Sequence, residues 1–120
     1  MSMTSERIDE QGRPVRVKVG AVDYTVQWHG LEWHRQTGAM GQQDMILLTI
    51  DLYEALAPHQ IAVTFMHEIV HALHLHSLND GNLNGEEIAA LVSVGLTAFW
   101  RDNPLAFYWW RGLLTAGEAA

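Results

Sequence analysis

The chain has 120 residues, 48% hydrophobic and 18% charged, which fits one globular domain with a real core and is too apolar for a disordered chain. It contains no cysteine, so disulfides and thiolate metal sites are excluded and any metal must be held by His, Asp or Glu. Fourteen acidic residues against seven Lys and Arg give a formal net charge of -7, which argues against a nucleic-acid partner, and no apolar run is long enough to cross a bilayer.

Residues 1–11 are polar and lack the apolar core of a secretory leader, so a cytoplasmic location and a loose amino terminus are expected. Val15, Val17 and Val19 then alternate with Arg16 and Lys18, and after Gly20-Ala21 the alternation resumes at Val22, Tyr24, Val26 and Trp28. A period of two marks a half-buried strand, so residues 15–28 read as a β-hairpin. Residues 36–44 read as a flexible polar loop, and Met45 to Ile50 as a third strand. Asp51 to Leu56 reads as a short helical turn.

A helix is expected from Pro58, a residue suited to the first helical position because its missing N–H would be unsatisfied there anyway. Ile61, Phe65, Ile69 and Leu73, with Ala62, Met66 and Val70, give it a broad apolar face to about His76, and Asn79-Asp80-Gly81 supplies the stop. Asn84 reads as the N-cap of the next helix, with Glu87 as its capping-box partner. That helix carries Ile88, Leu91, Gly95 and Phe99 on one stripe and ends near Asp102. Asn103-Pro104 opens a last helix holding Phe107 to Trp110, which loosens at Gly112 or Gly117, and residues 116–120 are a loose tail. Strands first and helices after define an α+β domain over residues 1–120: a three-stranded sheet packed on a helical layer.

The central helix carries His67-Glu68-Ile69-Val70-His71. Helical positions four apart stand nearly one above the other, so both imidazoles can point at one ion. Glu68 is rotated by about 100° from His67, beside that ion, where it can take a proton from an activated water. A catalytic zinc site commonly uses three protein ligands, so a third is sought where the chain folds back. Glu86 and Glu87 open the next helix. Glu87 is favoured because Leu91 and Gly95 follow it on the same face, with Glu86 as its rival. Both also suit a purely structural role, since acidic residues in a first turn favour the helix dipole by roughly 0.3–1 kcal/mol.

In this pattern, HExxH followed by a glutamate on the next helix, the chain resembles the gluzincin metallopeptidases. It looks most like their minimal members, including small zincin-like proteins of bacteriophages. Gly95-Leu96 running to Arg101-Asp102-Asn103-Pro104 is similar to the end of the glutamate helix in those phage proteins, and the resemblance covers roughly residues 45–104. It implies a zincin-like fold, one Zn2+, His67 and His71 as ligands, Glu86 or Glu87 as the third, and Glu68 as general base and acid. It also implies that strand 45–50 is the edge above the cleft, where an extended peptide pairs by β-augmentation. One departure concerns the acidic residue that larger gluzincins carry four positions after the ligand glutamate. Ala90 or Leu91 stands there instead.

The remaining polar and aromatic residues read more plainly. His74 lies one turn beyond His71 and is expected beside the ligands or bonded within the fold. His76 faces the opposite side toward solvent, His29 and His34 sit in loop-like sequence near Trp28 and Trp33, and His59 has no assigned role. Tyr53 and Tyr108 are possible oxyanion donors but more often core or surface aromatics. Trp109 and Trp110 read as core filling, with a protein contact or self-association as their other use. The expected activity is zinc-dependent peptide-bond hydrolysis. The alternative is a zincin-shaped module that binds protein partners and uses zinc only to stiffen its scaffold.

Overall fold

The computed structural model describes residues 5–76 and 83–116, so the expected stop Asn79-Asp80-Gly81 and the tail beyond residue 116 lie outside the described residues. In chain order the elements are β1 (Arg7–Ile8), β2 (Pro14–Val19), β3 (Val22–His29), α1 (Leu31–Thr37), β4 (Gly41–Asp44), β5 (Thr49–Tyr53), α2 (Pro58–Leu75), α3 (Gly85–Asp102) and α4 (Pro104–Thr115). The α+β class holds, but the sheet is larger than the three strands expected. Its order is β1-β2-β3-β5-β4, with β3 and β5 parallel and the other pairs antiparallel. Among the described residues no helix is long and apolar enough to cross a membrane.

The β2–β3 hairpin forms as its alternation predicts. Val19 pairs with Val22 across a two-residue turn whose first central residue, Gly20, has φ 62°, a conformation glycine adopts without a Cβ penalty. Val17, Val19, Tyr24 and Val26 point to one face and meet Phe65, Ile69, Ala72 and Leu73 of α2, with Phe99 and Ala106 from the last two helices. α1 lies on the other face, where His29 stacks on Trp33 at 4.5 Å and His34 on Tyr53 at 4.4 Å.

Three segments differ from expectation. Residues 36–44 hold the end of α1 and strand β4 rather than a loop. Met45 to Leu48 is a turn rather than a strand: Asp44 Oδ1 accepts the N–H groups of Ile46 (2.8 Å) and Leu47 (2.9 Å), and Leu48 is left-handed at φ 56°. An aspartate that bonds the backbone two and three residues on competes directly with strand pairing. Strand β5 therefore starts at Thr49 and takes in Asp51 to Tyr53, read earlier as helical. It is an interior strand, and β4 is the edge beside it, with β1 at the opposite edge.

Residues 6–8, expected to be loose, are also tied down. β1 pairs with β2, and the buried carboxylate of Glu6 accepts the N–H groups of Leu105 (3.0 Å) and Ala106 (2.6 Å), capping α4. Asn103, fully buried, fixes the α3–α4 corner to β2: it donates to Lys18 O and Phe99 O and accepts from Lys18 N. Trp109 packs edge-on against Trp28 and Phe65, and Trp110 donates its Nε1–H to Ala62 O at 2.9 Å. Both tryptophans thus serve the interior, and the most exposed aromatics of α4 are Phe107 and Tyr108.

Candidate metal centre

α2 begins at Pro58 after Ala57 and buries Ala62, Phe65, Ile69, Ala72 and Leu73. With that face committed to the core, His67 and His71 are left on its exposed side. Their Nε2 atoms face each other at 3.0 Å, with ring centroids 4.5 Å apart. Two nitrogens bound to a tetrahedral zinc at about 2.0–2.1 Å stand about 3.3–3.4 Å apart. The pair is therefore within a few tenths of an ångström of one edge of such a polyhedron. It offers two nitrogen donors, where a catalytic zinc site uses three protein ligands.

Glu68 lies between them in sequence but is turned toward the sheet and buried. Burial pushes its carboxyl above the ordinary carboxylate range, while His67 and His71 pull the other way. β4 comes this close only because Gly41 has no side chain. A Cβ there would stand 2.6 Å from Thr64 Cγ2 and 3.3 Å from Glu68 Cγ and Oε2.

The two glutamates proposed as the third donor are exposed in the first turn of α3. Asn84 Oδ1 accepts the Glu87 N–H at 2.9 Å, and Glu87 Oε1 takes the Asn84 N–H at 3.5 Å, so the capping box read from the sequence forms. α3 turns Ile88, Leu91 and Val92 toward His71 and His74. Among the described residues no three His, Cys, Asp or Glu side chains gather into one metal-holding group.

Two hollows meet at His71. Gln43, Glu68 and His71 on the helical side and Gln42, Thr49 and Asp51 on the other side line a polar cleft of about 820 Å³ that wraps over the edge strand β4. An apolar groove of about 420 Å³ runs along α2 and α4 past Val63, Met66, Val70, Trp110 and Leu114, with His67 and His71 at its side. The other candidates lie elsewhere. His76 is bonded to the Tyr24 hydroxyl at 2.5 Å rather than free in solvent. His29 bonds Asp51 at 2.7 Å on the far face, His34 bonds Ala39 O, and neither Tyr53 nor Tyr108 lines the cleft.

Gln43 and Gly41 escaped the sequence reading. Gly41-Gln42-Gln43-Asp44 carries no apolar alternation, so nothing local marks it as a strand beside the histidines. Comparison of the chain with protein-family models, with curated proteins and with solved structures found no match.

Proposed function

We propose that this chain is a zinc-dependent peptidase of zincin type in which His67 and His71 hold the metal and Glu68 moves the proton. The observation that carries the reading is the 3.0 Å approach of the two imidazole Nε2 atoms on one side of the central helix, next to a buried carboxylate. Zinc held there would supply Lewis acidity toward water and the scissile carbonyl. Glu68, at the boundary between that pair and β4, takes the proton from the attacking water and returns it to the leaving amine. Glu87, or Glu86, would be the third protein ligand. An extended peptide pairs with β4, the edge of the sheet on the histidine side, so the role expected of strand 45–50 passes to residues 41–44.

The alternative, a protein-binding module with structural zinc, draws on the two-donor arrangement and on the exposed Met45–Leu47 turn, where Ile46 is 88% exposed. Hydrolysis of fluorescein-labelled denatured casein by zinc-loaded wild type and by Glu68→Gln separates the two. The peptidase reading expects both proteins to carry stoichiometric zinc and turnover to fall by roughly a hundredfold or more in the variant. Full zinc with equal rates in both proteins would end it.

A further inference from the structure

Gln43 sits on β4 opposite Ile50, a fully buried residue of β5. Cross-strand partners share a face, so Gln43 points to the helical side of the sheet, as Gly41 does where it touches Glu68. Its side chain lines the polar cleft together with Glu68 and His71. There its Oε1 is buried with no hydrogen-bond partner, the one such side-chain atom among the described residues. A desolvated carbonyl left unpaired costs stability, and protein interiors rarely keep one. A methionine of nearly the same shape would fill the site without that cost.

We infer that Gln43 is a substrate-positioning residue, whose carboxamide turns out of its buried position so that its oxygen receives a backbone N–H of a peptide lying in the cleft beside Glu68 and His71. This deepens the peptidase reading and rests on it for the kind of ligand. The bound peptide satisfies the orphan carbonyl, and the carbonyl in turn fixes how far along β4 the chain slides. Gln43 takes no proton and touches no reacting atom. It sets which peptide bond stands next to Glu68.

The test uses the full chain with labelled denatured casein as the probe. Binding is read by fluorescence anisotropy in EDTA, so that nothing is hydrolysed, for wild type, Gln43→Met and Gln43→Glu. Losing one such bond while leaving the peptide N–H unpaired weakens binding by about ten- to a hundredfold. Gln43→Met should show that loss with an unchanged or raised melting temperature, and Gln43→Glu, which keeps an acceptor, should restore most of the binding. With zinc present, the Gln43→Met defect should fall on KM and leave kcat within about threefold. Equal binding by wild type and Gln43→Met would overturn the assignment, as would a clearly lowered melting temperature, which would make Gln43 a structural residue. Loss of binding in Gln43→Met with no hydrolysis by wild type would sink the peptidase reading but keep Gln43 as a peptide-orienting group. Failure of wild type to bind the probe at all would remove both.

Discussion

His67 and His71 differ from His29, His34 and His76 in what their ring nitrogens face. His29, His34 and His76 are each bonded to a carboxylate, a carbonyl or a phenol of the fold, whereas the Nε2 atoms of His67 and His71 face only one another. His74 lines the space between α2 and α3 with His71, but one helical turn farther on. Metal analysis after dialysis against zinc should therefore find His67→Ala and His71→Ala empty and His74→Ala stoichiometrically loaded. Loss of zinc from His74→Ala to the same extent would assign the ion to a different pair. Of all these residues, the five-residue histidine motif was the most legible in sequence, because a fixed helical period turns spacing directly into direction. His76 was not, since its partner Tyr24 lies 52 residues away and no local pattern announces the bond.

Among the elements, β4 matters most, being an edge strand and contributing one wall of the cleft. Its approach to α2 depends on Gly41, where a methyl group would collide with Thr64 Cγ2 at 2.6 Å. Gly41→Ala should cost about 1–3 kcal/mol of stability, the usual range for overpacking, and lower hydrolysis by moving β4 away from Glu68. Adding Thr64→Ser removes the methyl that is struck and should recover most of both losses. Urea unfolding and casein hydrolysis on the single and double variants check this, and a Gly41→Ala protein indistinguishable from wild type would contradict it.

α2, α3, α4 and the β2–β3 hairpin were legible because each carries its own period, and α3 also its own cap, Asn84 with Glu87, whereas α1 (Leu31–Thr37) stands in sequence read as loop-like. β4 was not, because Gly-Gln-Gln-Asp is held by pairing with β5 and by the cover of α2. Met45 to Leu48 misled for the opposite reason: the run is apolar, yet the Asp44 side chain folds it into a turn. The alternation that marks β5 is Ile50-Asp51-Leu52, in which the two buried residues flank the outward aspartate.

On the scale of the whole molecule, the segment around Glu6 and the start of α4 are joined across the sheet. Glu6 caps α4 at a sequence distance of about a hundred residues, and Asn103 ties the corner before that helix to β2. α4 in turn holds Trp109 against Phe65 and Trp110 against Ala62, so the helix bearing the histidines is braced from the side opposite β4. Glu6→Ala leaves two N–H groups of α4 without their acceptor and should cost about 1–3 kcal/mol, with Glu6→Gln losing less. Urea unfolding measures both, and no loss in Glu6→Ala would show that α4 stands without its cap.

The central claim is that one divalent ion sits between His67 and His71. X-ray absorption at the zinc edge of the loaded protein addresses it directly, by counting the nearest ligands and their kind. The account predicts two imidazoles at about 2.0–2.1 Å, with both imidazole signatures lost in the double variant His67→Ala/His71→Ala. A zinc shell without imidazole, or one unchanged in that double variant, would contradict it.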